Sequence, residues 1–177
     1  MLTILRACAP SQAGNRRHAA IAAVMAALAI GLACREAAAQ PTNYKVGDLT
    51  IEAPWARATP AGAKVGGAYL KIINNGAQPD RLLGGSLTGA GDVEVHEMSM
   101  SNNVMKMRQL KDGLEIKPGQ TVELKPGGYH LMLTGLHDGL KQGQKLTGTL
   151  RFEKARTVQI EFAIAPIGAQ SGGHMQH

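Results

Sequence analysis

The sequence predicts an all-β domain, an antiparallel β-sandwich or Greek-key barrel. Short β-prone segments recur from residue 49 onward, and clusters of glycine, proline and asparagine separate them. No window of a dozen residues shows a convincing 3.6-residue apolar period, which a surface helix would need. A length of 177 residues fits one such domain with a modest core.

The N-terminal segment is typical of a secretory signal peptide. Arg16, Arg17 and His18 form a basic patch, an almost continuously apolar run covers 19–33, and small residues follow at Ala37-Ala38-Ala39. We place cleavage after Ala39. The prediction is therefore a signal peptide at 1–39, a domain at 40–165 and a flexible tail at 166–177, with the mature protein in the periplasm.

Two other interpretations of this segment stay open. Arg16-Arg17 resembles a twin-arginine signal, although the surrounding residues match that pattern poorly. Leu32-Ala33-Cys34 resembles a lipoprotein processing site, which would leave a lipid on Cys34, but Gly31 stands where a larger aliphatic residue is preferred. Cleavage after Ala39 removes Cys8 and Cys34, and the mature protein then has no disulfide, thiolate ligand or thiol nucleophile.

The composition excludes some partners. Cleavage after Ala39 removes four arginines and one glutamate, so the formal charge falls from +6 to +3. One Trp, two Phe and three Tyr give no basic, aromatic surface on which single-stranded nucleic acid could stack. We expect neither nucleic-acid binding nor stable membrane association.

Turn signals divide the domain into nine predicted strands. In chain order these are 49–51, 67–73, 81–86, 92–98, 104–110, 121–124, 129–133, 145–152 and 157–164. Pro54 is expected to end the first strand, and Asn74-Asn75-Gly76 to form the turn after the second. The segment 168–177 is mostly Gly, Gln, Ser and His, and we expect it to be too polar to pack.

Histidine and methionine are concentrated in three places. They are His96 with Met98, Met100, Met105 and Met107; His130 with Met132; and the tail with His174, Met175 and His177. Residues two apart on a strand share a face. His130 and Met132 therefore point away from the core residues Leu131 and Leu133. Three such strands would assemble a site of imidazole nitrogen and thioether sulfur.

These donors indicate the metal. Thioether sulfur is soft and neutral and favours Cu(I), whereas zinc prefers Cys, more His or carboxylate, and calcium prefers oxygen. Methionine also forms no disulfide in an oxidising periplasm. Taken singly, Met98, Met100 and Met105 are interpreted as packing residues. His137 is interpreted as a solvated or hydrogen-bonded residue, and Trp55 and Arg57 as packing and surface pairing.

At this point the chain resembles the periplasmic copper chaperones called PCuAC. Their pattern is a His, about ten residues, a Met, a little over twenty residues, then His-x-Met. Here ten residues separate His96 from Met107, and twenty-two separate Met107 from His130-Leu131-Met132. The segments 53–58, 67–70, 124–133 and 150–152 also match, so the resemblance covers about 49–165.

The resemblance implies a cupredoxin-like β-sandwich that binds Cu(I) at a partly exposed site through His96, Met107, His130 and Met132. It also implies delivery toward the CuA centre of cytochrome c oxidase, on subunit II, alongside a thiol-bearing partner chaperone. Some family members carry a His/Met-rich extension suited to a second copper. The tail here is a short version of it, so we consider a second, weakly bound copper there.

Other functions fit less well. A blue-copper electron carrier needs a cysteine thiolate and a thiol reductase needs Cys-x-x-Cys, so we expect no enzyme or electron carrier. A β-sandwich adhesion module leaves the spaced His and Met residues unexplained. A periplasmic copper sequestration or resistance protein would use the same ligands. One well-formed motif favours carriage over storage.

A truncation tests the tail. Ordering a disordered ligand set costs conformational entropy, so deletion after Gly168 should leave the primary Cu(I) affinity nearly unchanged. The measurement is the Cu(I) affinity and stoichiometry of the truncated and full-length chains. A fall from two bound coppers to one would instead make the tail a second site.

Overall fold

The computed structural model describes residues 43–172. The predicted signal peptide and its cleavage site, together with His174, Met175 and His177 of the tail, lie outside the described residues. No helix among the described residues is long and apolar enough to cross a membrane.

The described residues form eleven strands, joined by turns and loops. They are β1 (Asn43–Val46), β2 (Leu49–Arg57), β3 (Val65–Asn74), β4 (Asp80–Leu87), β5 (Val93–Ser101), β6 (Val104–Gln109), β7 (Leu114–Ile116), β8 (Thr121–Leu124), β9 (Tyr129–Thr134), β10 (Lys145–Phe152) and β11 (Thr157–Ala165). This confirms the all-β class. All nine predicted strands are present, with ends that differ by at most three residues except at β2.

Seven strands close into a ring. Their order is β2-β11-β10-β4-β5-β9-β3, and β3 pairs with β2 again. Strands β1, β8, β6 and β7 extend the ring from β2, β3, β5 and β4 respectively. Every pairing is antiparallel except that of β11 with β2. The sheet is therefore antiparallel as predicted, except that this one parallel pairing makes it mixed.

Alternation within each strand creates the core. On β3, Ala68, Leu70 and Ile72 are buried as their two-residue spacing predicts. The same rule buries Leu131 and Leu133 on β9, and these two pack in one cluster with residues from most of the other strands. Because successive side chains on a strand point to opposite faces, each such strand presents its intervening residues to the face away from this cluster.

Pro54 does not end β2. The strand continues to Arg57 through a bulge between Glu52 and Trp55, where Ala53 adopts a φ of +47°. A proline cannot donate a hydrogen bond to the sheet, and a bulge is one of the few places where a strand tolerates it. The prediction that the strand stops there was wrong because sequence alone does not show that the ladder resumes.

Strands β1 and β7 were not predicted. β7 has only three residues, of which Leu114 and Ile116 are buried against β4. β1 is held by pairing with β2 and by a hydrogen bond that the backbone N–H of Glu161 donates to the hydroxyl of Tyr44, at 2.9 Å. Both strands depend on tertiary partners rather than on a strong local pattern.

The start of the predicted tail packs on the domain. Ala169 lies against the buried pair Trp55 and Tyr69, and its carbonyl accepts a hydrogen bond of 2.6 Å from Nε of Arg57. A Cβ on Gly172 would collide with the ring of Trp55, so the chain passes close to that ring. The expectation that 168–177 would not pack is wrong at Ala169 and Gly172. The truncation proposed above is therefore better placed after Gly172.

Candidate metal site

Three neighbouring strands bring the predicted ligands to one face of the sheet. β5 pairs with β9 on one side and with β6 on the other, and neither register is interrupted. His96 lies opposite His130 on β9, and Met98 lies opposite Met107 on β6. Directly opposite residues share a face, so all four side chains lie on the face away from the core.

The two histidines form a direct cross-strand pair. Their ring centroids are 5.7 Å apart and the ring planes are tilted by 46°. Val95 and Leu131, the residues that precede and follow them on their strands, are both buried in the core. The core thus fixes the backbone beneath the imidazoles, and one metal ion could bridge the two rings.

His96 is oriented by a carboxylate. Its Nε2 lies 2.8 Å from Oε2 of Glu94, two residues earlier on the same face. With Nε2–H donated to the carboxylate, the lone pair is on Nδ1, which is buried without a hydrogen-bond partner among the described residues. A buried nitrogen acceptor without a partner, held by a carboxylate on the other ring nitrogen, is the arrangement of many metal-binding histidines.

His130 is oriented by the backbone. Its Nδ1 donates to the carbonyl of Gly128 at 3.1 Å, which leaves the lone pair on Nε2. Burial lowers the pKa of His130 from its ordinary value of 6.5; the nearby His96 also lowers it, and the Gly128 hydrogen bond opposes the shift. The ring is therefore neutral at pH 7, as a metal ligand must be.

Met132 is the third predicted ligand. It follows His130 by two residues, shares its face, and lies opposite Glu94 on β5 and opposite Gly67 on β3. A Cβ on Gly67 would lie 2.7 Å from the hydroxyl of Tyr69, so Tyr69 covers the space that a side chain would fill. Burial raises the pKa of Tyr69 above its usual 10, so this phenol stays neutral at pH 7.

Met107 is the most peripheral of the four predicted ligands. It lies on β6 diagonally from His96, and it is 51% exposed. Met98 stands between Met107 and the histidine pair, half-buried, on the same face. The register therefore places His96, His130 and Met132 in adjacent positions and Met107 one strand further out, with Met98 as a neighbour able to contribute a thioether.

Comparison with known proteins gives the family. A model of the family described as "Putative lipoprotein LpqE-like" matches residues 49–164. The curated protein "Putative lipoprotein Lxx21020" of Leifsonia xyli subsp. xyli (strain CTCB07) is 32% identical over 143 residues, which cover 78% of this chain and 85% of that protein. The chain belongs to the LpqE-like family.

Solved structures connect this LpqE-like chain to PCuAC domains. The copper-bound PCuAC domain from PmoF2 is 30% identical, with a TM-score of 0.60, and the match covers 71% of this chain and 98% of that domain. CuI-DR1885 from Deinococcus radiodurans is 27% identical, with a TM-score of 0.51 and coverage of 75% and 85%. The resemblance to PCuAC and the cupredoxin-like fold predicted from the sequence are confirmed.

The donor chemistry of the LpqE-like chain suits a soft metal. Within residues 43–172, no three side chains of His, Cys, Asp or Glu gather closely enough to hold an ion. The donors around the histidine pair are instead the thioethers of Met132, Met98 and Met107. Two neutral imidazoles with thioethers match Cu(I), so the residues present fit that ion.

The structure also locates the residues that were interpreted as packing or solvated. Met100 and Met105 are 64% and 47% exposed, so the view that they pack in the core is wrong. His137 is exposed in the loop after β9, as expected. Trp55 stacks on Tyr69 with ring centroids 4.4 Å apart, and the Arg57 guanidinium lies 5.7 Å from the Tyr69 ring centre, which confirms their packing role.

Sequence reasoning missed Glu94. Its two-residue spacing from His96 was a usable signal, but a carboxylate is a poor ligand for a soft ion and was not considered as a support for one. We expect Glu94→Ala to weaken Cu(I) binding roughly tenfold, because the His96 ring loses the group that fixes its orientation and tautomer. Glu94→Gln should weaken Cu(I) binding less, since its amide oxygen can still accept a hydrogen bond from Nε2–H of His96.

Competition with a Cu(I) chelator would measure both variants. Glu97→Ala is the matched control, because Glu97 is the same residue type on the same strand but pairs with Arg108 on the other face. Wild-type affinity in Glu94→Ala would show that the carboxylate does not position His96.

Proposed function

We propose that this protein is a copper carrier. It binds one Cu(I) through His96, Met107, His130 and Met132 and delivers the ion toward the CuA centre of cytochrome c oxidase. The observation that carries the proposal is the cross-strand pair His96 and His130 (ring centroids 5.7 Å apart), each with one ring nitrogen hydrogen-bonded and the other open to a metal.

Two further observations support copper as the cargo. The PCuAC domain of PmoF2 and DR1885, both similar to this chain over most of its length, are described as copper-bound and CuI-bound. The thioethers on the site face favour Cu(I) over Cu(II), whose preference is for nitrogen and oxygen in a tetragonal arrangement. The loaded protein should therefore be colourless and redox-quiet, and it performs binding and transfer without catalysis.

Export is part of the proposal. The N-terminal segment has the order of a signal peptide, and both the family model and the curated relative carry the word lipoprotein in their descriptions. We place the mature protein in the periplasm and cleavage after Ala39. The intact mass of protein from the native host separates this cleavage from lipidation at Cys34, which would give a heavier, diacylated chain.

A transfer assay tests the carrier function. Cu(I)-loaded protein is mixed with the soluble CuA domain of oxidase subunit II, with and without a thiol-bearing partner chaperone, and the CuA absorption is followed. We expect copper to leave this protein for the oxidase domain, and the Met132→Leu variant to deliver less because it retains less Cu(I). No transfer under either condition would favour the alternative, a sequestration or resistance protein.

Affinity should depend on pH in a defined direction. Each imidazole must be neutral to ligate, so protons compete with Cu(I) in acidic solution. Because the pKa of His130 is lowered below 6.5, its competition begins only in more acidic solution than for an unburied histidine. We expect nearly constant affinity from pH 8 to about 6.5 and a decline through roughly 6 to 5.

Chelator competition from pH 5 to 8 gives the profile. Met132→Leu is the control, because thioethers do not titrate. Its Cu(I) affinity should be weaker at every pH, but the pH at the midpoint of the decline should be unchanged. Affinity independent of pH down to 5 would exclude imidazole ligation.

A further inference from the structure

The outer part of the β5–β6 hairpin carries four methionines on one face. Met98 lies opposite Met107, and Met100 lies opposite Met105, one residue pair before the loop. The other face of the same hairpin is polar and charged apart from Val104, with Glu97 paired to Arg108 across the strands at 2.7 Å. The methionine face is continuous with the face that bears His96.

Packing does not explain these methionines. Met100 is 64% exposed and Met105 is 47% exposed, and every residue of β6 is exposed. Among the described residues, β6 pairs with β5 alone, so the hairpin projects from the ring. An apolar face kept in water on a projecting hairpin is unfavourable for solubility, and such faces usually serve binding.

The hairpin is built to hold its register. Its loop is the two-residue turn Asn102-Asn103, whose φ values of +51° and +61° suit asparagine and match the twist of the strands. The Glu97–Arg108 pair adds a cross-strand link next to Met98 and Met107. Opposite side chains in such a ladder have Cβ atoms about 5 Å apart, so two flexible thioethers can reach one ion.

We propose that Met100 and Met105 form a second, weaker Cu(I) site at the tip of the hairpin, from which Met98 and Met107 lead the ion to the histidine site. The site is neutral, soft and exposed, and it lacks an imidazole. It therefore captures Cu(I) from a donor without competing with His96 and His130 for the final position. The relay rests on the proposed carrier function, whereas the tip site itself can be measured independently of it.

The test follows individual methionine methyl groups. The full chain, labelled with ¹³C at the methionine methyls, is titrated anaerobically with Cu(I) and observed by NMR. We expect the first equivalent to move Met107 and Met132, and the second to move Met100 and Met105 with an affinity at least about tenfold weaker. A second equivalent that moves Met175 instead, or no methionine, would overturn the proposal.

A double variant completes the test. Met100→Leu with Met105→Leu keeps the volume and apolarity of the tip but removes its sulfur. We expect it to lose the second equivalent, to keep the first-site affinity, and to load the histidine site more slowly from a Cu(I) donor. Val104→Leu, on the opposite face of the same hairpin, is the control and should behave as wild type.

The two proposals fail in different ways. If Met132 does not respond to copper while Met100 and Met105 do, the carrier site is wrong and the tip site stands. If the double variant still binds two Cu(I) or loads at the wild-type rate, the tip proposal is wrong whatever the histidine site does.

Discussion

Replacing Met132 with leucine is expected to weaken Cu(I) binding at least about tenfold, or roughly 1.4 kcal/mol. Leucine preserves volume and apolarity, so the change removes a ligand with little effect on packing. Met132 shares a face with His130 and lies opposite Gly67 on β3. β9 contains no second methionine whose thioether could replace it. The thermal stability of the apo protein should stay close to wild type.

Met107→Leu is expected to have a smaller effect than Met132→Leu. Met107 is exposed and Met98 lies directly opposite it, so Met98 can supply a substitute thioether. Titration against a Cu(I) chelator would compare both variants with Met100→Leu, a change on the same face but farther from the histidines. Unchanged affinity in both Met132→Leu and Met107→Leu would remove these methionines from the site.

The largest expected effect on stability is at Asp80. This buried carboxylate accepts hydrogen bonds from the backbone N–H groups of Arg81, Lys154 and Ala155, at 2.7, 2.9 and 2.9 Å. It thereby ties the loop between β10 and β11 to the start of β4. Asp80→Ala leaves these donors without their charged acceptor, and we expect the free energy of unfolding to fall by about 3 kcal/mol.

Urea denaturation would measure the loss. Asp80→Asn keeps one acceptor oxygen and should fall between alanine and wild type. Asp138→Ala, in an exposed loop, is the control and should change stability by less than about 0.5 kcal/mol. Asp80 lies at the start of β4, whereas the histidine pair lies on β5 and β9. The folded variant should therefore keep its Cu(I) affinity. Wild-type stability in Asp80→Ala would mean that water replaces the carboxylate at little cost.

Much of the fold could be predicted because strand alternation and turn residues are local signals. They placed β3, β8 and β10 with few errors. They failed where tertiary structure overrides a local rule: the bulge that carries β2 past Pro54, the short strand β7 held by β4, and the segment at Ala169 held by Arg57. The local sequence of these segments does not identify the partner that stabilises each of them.

For the metal site, too, local spacing was predictable from the sequence and long-range pairing was not. The two-residue spacing of His130 and Met132 predicted their common face, but it could not show that His96 would lie directly opposite His130, since strand register depends on the whole sheet. The exposure of Met100 and Met105 also could not be predicted from their spacing, because a methionine on a strand has the same spacing whether it faces the core or solvent. Only the projection of the hairpin separates the two.

The parallel pairing of β2 with β11 has a consequence for the timing of folding. Trp55 near the beginning of the domain is aligned with Ala163 near its end, so the ring of strands cannot close until almost the whole chain is available. Contacts between residues so distant in sequence make folding slow. A chain that emerges vectorially, N-terminus first, therefore stays open until its last strand arrives, and losing that strand would remove one pairing partner from β2 and one from β10.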